Sequence, residues 1–76
     1  VLAAALEHIV TGIVDHPEDV RITASTSPRG ELLEVRVHPD DRGRVIGRGG
    51  RTAKALRTLV SALADGRRVR VDVADD

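Results

Sequence analysis

Gly47-Arg48-Gly49-Gly50-Arg51 is the stretch of this chain whose residue types and spacing point to chemistry. Two apolar residues, Val45 and Ile46, precede a four-residue turn framed by Gly47 and Gly50, and an Ala- and Leu-rich run follows it. Glycines let a bound phosphate approach where a Cβ would block it. A turn that opens a helix also offers backbone N–H groups with no partner inside the helix. Six of the twelve basic residues (Arg42, Arg44, Arg48, Arg51, Lys54 and Arg57) sit in or beside this stretch, and no acidic residue lies between Asp41 and Asp65. The chemistry such a set supplies is anion binding, with side-chain cations adding attraction to a backbone cradle. The residues expected to make the contacts are Arg44, Ile46, Gly47, Arg48, Gly49, Gly50, Arg51 and Lys54.

The formal net charge of zero hides a strong asymmetry. Residues 1–41 carry eight acidic and three basic side chains, a balance of −5, whereas residues 42–64 carry six basic and no acidic ones, +6. The remaining residues, 65–76, return −1. A basic face on an otherwise acidic body is the electrostatic footprint of a nucleic-acid binder. The absence of Phe, Tyr and Trp excludes modules that stack bases on aromatic platforms, such as the RRM and most OB-folds. Base contacts are left to aliphatic surface, Arg planes and backbone groups. Without cysteine, neither a disulfide nor a thiolate metal site can support the fold. No apolar run reaches the length of a signal peptide or membrane span, so a cytoplasmic location is expected. Val1 is not a natural start residue, which leaves room for residues that precede it.

The elements that must position the turn follow from periodicity. Leu2, Leu6, Ile9, Val10 and Ile13 mark one face of a helix that ends near Asp15-His16-Pro17. Val20, Ile22 and Ala24 alternate with polar residues, as do Leu33, Val35 and Val37. Ser27-Pro28-Arg29-Gly30 between them reads as a turn, so an antiparallel hairpin is expected. Pro39-Asp40-Asp41 opens a short helix with its acidic groups set against the positive end of the dipole; Gly43 weakens it and Gly47 stops it. A longer helix spans about Arg51 to Ala64, with Ala53, Leu56, Leu59, Val60 and Leu63 on its apolar side and Gly66 as a left-handed cap. Val69, Val71 and Val73 give a third strand, and the tail Asp75-Asp76 is expected to be loose. Seventy-six residues make one domain. The order α-β-β-α-α-β then describes a two-layer α+β sandwich with a three-stranded mixed sheet and all helices on one face. The helical connection of roughly 30 residues between the second and third strands makes them parallel and right-handed.

At this point the chain resembles the KH domain in its type II order over essentially its whole length. The resemblance rests on Val45-Ile46-Gly47-x-x-Gly50 between a short and a longer helix, flanked by strands in the right order. Many KH domains place a bulky aliphatic three residues after the second glycine, where this chain has Ala53, a departure at the apolar base pocket. Gly-Arg-Thr-Ala-Lys-Ala-Leu-Arg-Thr-Leu, Gly50 to Leu59, is similar to the small stand-alone bacterial KH proteins of the KhpA family. That resemblance implies RNA binding and the work of an RNA chaperone or post-transcriptional regulator. It also implies self-pairing, a second KH-containing partner, and a link to control of cell elongation and division. A single strand would lie across the turn, about four nucleotides per domain. Val45, Ile46, Ala53 and Leu56 lie beside it, some flooring the cleft for bases and others belonging to the core.

Other classes fit less well. No Gly-Lys-Ser/Thr follows the glycines, so they form no Walker A loop, and a dinucleotide fingerprint is missing as well. His8, His16 and His38 are scattered over three elements without a nearby nucleophile, so no catalytic site and no cofactor are expected. His38 with Asp40 and Asp41 suggests a metal, but a polar strand end running into a helix start accounts for them better, and no metal site is expected. A DNA-binding helix-turn-helix would show Asn or Gln on its recognition helix to read adenine; here that helix shows Arg51, Lys54 and Arg57 behind a helix too short to brace it. A protein-interaction module without RNA binding is the third alternative, and Arg48 with the basic helix speaks against it.

Overall fold

The computed structural model describes residues 2–74. Helix α1 (Leu2–Ile13) buries Leu2, Leu6 and Val10, a four-residue repeat that keeps one face on the core. Val14, just past its end, extends the stripe and is buried too. A single 3-10 turn, Pro17–Asp19, follows, which periodicity did not single out; it delivers Val20 into the core.

Strands β1 (Arg21–Ser27) and β2 (Gly30–Arg36) form the antiparallel hairpin, with Arg21 opposite Arg36 and Ser27 opposite Gly30. Gly30 has φ +127°, and a Cβ there would collide with the backbone carbonyl of Arg68, so glycine lets the hairpin approach the lead into the third strand. Strand β3 (Val69–Val73) runs parallel to β2, from Glu31 opposite Val69 to Val35 opposite Val73. The sheet order is β1-β2-β3, so both β1 and β3 are edge strands. Between β2 and β3 the chain makes α2 (Pro39–Ile46), a 3-10 turn at Arg48–Gly50, and α3 (Arg51–Ala64). Leu33, Val35 and Val71 face the helices and are buried, while Arg21, Thr23, Arg36 and Arg70 on the opposite sheet face are exposed. One aliphatic core cluster joins residues of α1, α2, α3 and the strands. No helix among the described residues is long and apolar enough to cross a membrane.

Three expectations change. Ala24 pairs with Leu33 but is exposed: on this edge strand, near the first turn of α1, the helical layer leaves an open depression that also involves Leu2 and Ala3. Leu59 and Leu63 were expected on the apolar side of α3, yet they are 40% and 51% exposed. The face that meets the sheet is Ala53, Leu56, Val60 and Ala64; Leu59 and Leu63 each precede a buried residue and so sit about 100° around the helix from it. The left-handed cap begins at Asp65 (φ 51°) and continues at Gly66 (φ 90°), so the acidic residue shares a conformation expected of the glycine alone. The Asp75-Asp76 tail lies outside the described residues.

Candidate nucleic-acid interface

The turn depends on how α2 is held. His38 caps that helix, its ring Nδ1 accepting the Asp40 N–H at 3.0 Å, with Pro39 at the first helical position. Asp41 lies in the first turn of α2, as expected, but its role goes beyond the dipole. It is 1% exposed, and its carboxylate accepts the N–H groups of Asp15 (3.2 Å) and His16 (3.0 Å) and the His16 ring Nδ1–H (3.0 Å). Burial works to raise the Asp41 pKa, but these hydrogen bonds favour the charged form and hold it below the usual value. The same bond to Asp41 raises His16 against the opposing effect of its own desolvation, with Glu18 and Asp40 adding attraction. The His16 and His38 rings stack at 4.0 Å between centroids, 15° apart. The segment after α1 is thereby clamped to the first turn of α2, which fixes where α2 delivers Ile46 and Gly47.

Gly47 ends α2 with φ 78° and ψ 168°, a region essentially reserved for glycine. A Cβ there would also collide with the side chain and backbone nitrogen of Thr52, so the chain can double back onto α3 only with glycine at this position. Gly49 (φ 65°) and Gly50 (φ 78°) are left-handed as well, though a Cβ on either meets nothing within 4 Å. The backbone accounting corrects one expectation. Gly47 N–H donates to Gly43 O (2.8 Å), Gly50 N–H to Gly47 O (3.1 Å) and Arg51 N–H to Arg48 O. The 3-10 turn therefore uses donors that the sequence left free for a phosphate, and more of the attraction falls to side chains.

The structure distributes seven of the eight expected contact residues over three places and sets Arg44 apart from them. Ile46, 39% exposed, and Gly50 line a depression of about 490 Å³ together with Ala53, Arg57, Val73 and Ala74, while Glu34 and Asp72 complete it. Val45 and Leu56 are at most 4% exposed and belong to the core, so of the four residues beside the turn Ile46 walls the cleft and Ala53, 7% exposed, reaches it only at its floor. Gly47, Arg48 and Gly49 form the adjoining turn, with Arg48 exposed at its tip. Arg51 and Lys54 stand on the outer face of α3, beside Ala55, Thr58, Leu59 and Ala62. The side chains of Arg48, Arg51 and Lys54 have no hydrogen-bond or ion-pair partner among the described residues. Arg44 differs: its guanidinium is paired with Asp15 at 3.2 Å.

Sequence reasoning missed the other wall of the cleft. Ala74 N–H donates inward to Val35 O. Along a strand these groups alternate in direction, so the N–H and C=O of Val69, Val71 and Val73 face outward from β3, toward α3. Arg57 answers one of them, its Nε donating to Val71 O at 2.9 Å, and its Nη2 lies 3.9 Å from Asp72. Only the placement of β3 at the sheet edge reveals this; Arg57 and Val71 are fourteen residues apart. As for metals, the ligand atoms of His16, His38 and Asp40 lie within 4.8 Å of one another. The two rings are stacked and both Nδ1 atoms are already hydrogen-bonded, an arrangement that serves the α1–α2 clamp.

Residues 3–74 match the family described as KhpA/KhpB, KH domain. A relative from Leifsonia xyli subsp. xyli, named RNA-binding protein KhpA, is 79% identical over 75 residues, covering 99% of both chains. Relatives of the same name from Mycobacterium tuberculosis and Streptomyces coelicolor are 63% and 62% identical, covering 99% and 97% of this chain and 92% of their own lengths. Among solved structures, Aquifex aeolicus Era aligns with TM-score 0.64 over 95% of this chain and 29% of its own, at 15% identity, a likeness of fold.

Proposed function

This chain belongs to the KhpA/KhpB KH-domain family, and from that premise we propose that it binds single-stranded RNA, working as a single domain over residues 1–76. Similar proteins that cover nearly the whole chain carry the name RNA-binding protein. The observation that carries the site assignment is the set of partnerless cations Arg48, Arg51 and Lys54 grouped around the Gly47–Gly50 turn, next to a cleft walled by Ile46 and the edge of β3. The sugar-phosphate backbone lies across the turn, held by Arg48 at its tip and by Arg51 and Lys54 behind it. The bases drop toward Ile46 and Ala53, where outward N–H and C=O groups of Val73 can pair with their edges. Such a grip, short and without aromatic stacking, suits an RNA chaperone or post-transcriptional regulator of modest affinity. Competition between a labelled single-stranded RNA and duplex DNA tests this reading: the RNA should win, and preferential displacement by the duplex would support the helix-turn-helix alternative.

The working unit is proposed to be larger than one chain. Leu59 and Leu63 expose apolar surface on the outer side of α3, continuous with Ala55 and Ala62, where a surface helix is usually polar. A second copy of this chain is the occupant proposed there. Two linked clefts raise avidity by orders of magnitude without new contacts, which offsets the weakness of one short grip. Sedimentation equilibrium at micromolar concentration should give a mass rising toward a dimer, abolished in Leu59→Glu/Leu63→Glu. A strictly monomeric mass would refute self-pairing and leave a second KH-containing protein as the partner.

A further inference from the structure

The sheet has two edges, and the cleft uses only β3. At the other, the direction of the β1 backbone groups follows from two bonds across β2. Glu31 N–H donates to Arg68 O and Ala74 N–H donates to Val35 O, so Glu31, Leu33 and Val35 turn their peptide groups toward β3. Gly30, Leu32, Glu34 and Arg36 therefore bond β1, through Ser27, Ser25, Thr23 and Arg21. The N–H and C=O groups of Ile22, Ala24 and Thr26 are left pointing away from the sheet, and no backbone group among the described residues pairs with them. Natural sheets guard such an edge with lysine, proline, a bulge or a very short strand. β1 has none of these: it is seven residues long, pairs residue for residue with β2 and carries one charge, Arg21. Thr23 to Ser27 are all exposed. The side chains of Ile22, Ala24 and Thr26 turn to the helical side, where the layer is incomplete. An open depression of about 220 Å³ lies there, lined by Leu2, Ala3, Ala24 and Leu33 and completed by the Glu31–Arg67 ion pair at 3.2 Å. At the other end of the strand Arg21 stands directly opposite Arg36, like charges across the ladder. The Arg21 guanidinium donates to the carbonyl oxygens of Glu18 and Val20, and no carboxylate pairs with it among the described residues.

We propose that the β1 edge takes an extended segment of a partner protein, which joins the sheet as an added strand. Its main chain pairs with Ile22, Ala24 and Thr26, and its inward aliphatic side chains close the depression beside Ala24. An acidic residue comes to lie beside Arg21, where the charge is uncompensated. Antiparallel pairing, the more stable per residue, puts that acidic residue at the C-terminal end of the segment. A single cation along seven residues is too little for a polyanion, so the occupant is polypeptide and not nucleic acid. Because β1 and β3 are opposite edges, the segment leaves the cleft at the Gly47–Gly50 turn open.

The probe is the capped peptide Thr-Val-Thr-Val-Thr-Val-Glu, titrated into the whole isotopically labelled protein and followed by nuclear magnetic resonance. Saturable shifts are expected at the amides of Ile22, Ala24 and Thr26, with Gly47 to Gly50 silent. N-methylation of the valines removes the donors that face β1 and should abolish binding, and Lys in place of Glu should weaken it roughly fivefold. In the protein, Ala24→Pro removes the central outward N–H at a position where an edge strand tolerates proline. Ala24→Lys keeps the backbone and guards the edge, so it serves where the proline variant does not fold. Each should abolish peptide binding, and Ala24→Pro should leave RNA affinity unchanged. The absence of saturable shifts at the edge, or equal binding by the N-methylated peptide, would overturn the proposal. So would a sedimentation mass that Ala24→Pro lowers, which makes a second copy the occupant, or RNA that shifts the β1 amides and is displaced by the peptide.

Discussion

Replacing Arg48 and Gly49 together with Asp should remove RNA binding and spare the fold. Both residues are exposed at the turn tip, and the Arg48 side chain has no partner to lose. Gly49 is left-handed with φ 65° and ψ 19°, and an added Cβ meets nothing within 4 Å, so the cost is conformational rather than steric. That cost is about 1–2 kcal/mol for a non-glycine residue, with Asp among the better tolerated. It is small against the roughly 5–15 kcal/mol that holds a domain folded. Binding should suffer more. One attraction to phosphate is lost and two repulsions appear, three changes of about 1 kcal/mol each at contact distance in a water-like dielectric. The total, about 3 kcal/mol, corresponds to roughly two orders of magnitude in affinity. Fluorescence anisotropy with a labelled single strand at low salt measures the loss, and circular dichroism confirms the fold. Unchanged affinity in a folded double variant would refute the placement of the phosphate at this turn.

If Arg48, Arg51 and Lys54 neutralise about three phosphates, log affinity should fall against log salt with a slope near −2; Arg44→Ala should leave the slope alone, because its guanidinium is committed to Asp15. A salt-independent affinity would show that apolar base contacts dominate. Gly47→Ala should destabilise the protein by about 1–3 kcal/mol in chemical denaturation, given a backbone region closed to alanine and the collision with Thr52; an unchanged midpoint would contradict that backbone. The His16–Asp41 pair should make stability depend on pH. His16, raised above its ordinary 6.5, contributes fully below 6.5 and loses its contribution as pH rises through the folded value. Asp41, lowered from 3.8, contributes above 3.8 and fades as pH falls below it. The thermal midpoint of the wild type should therefore gain on that of His16→Ala as pH falls from about 8 toward about 5, and a constant difference would contradict the pair.

Much of this was legible in the sequence because the relevant signals are local. Strand alternation, the helix breaks at Pro17 and Gly47, and the charge asymmetry each follow from near neighbours, and together they gave the element order and the turn. The β2–β3 pairing came from the length of the helical connection between them. What could not be read depends on how faces meet. Asp41 looks like any acidic residue at a helix start until the segment after α1 arrives to donate three hydrogen bonds to it. Leu59 belongs to an apolar arc wider than the sheet can cover, and periodicity alone does not say which edge of the arc is left out. Arg57 was visible as one more cation, but its bond to Val71 requires knowing that β3 is the edge strand. The glycine turn was legible, whereas the closure of its backbone was not: a 3-10 turn uses N–H groups of Gly50 and Arg51 that a simple helix start would leave without an internal partner.

The placement of a single strand is tested most directly by nuclear magnetic resonance of the isotopically labelled protein, titrated with single-stranded RNA and followed at every backbone amide. The amides of Ile46, Arg48, Gly49, Gly50 and Lys54 should shift together with those of Arg57, Val71 and Val73 across the cleft. Shifts confined to α1 or to the exposed face around Leu59 and Leu63, with the turn silent, would contradict the account.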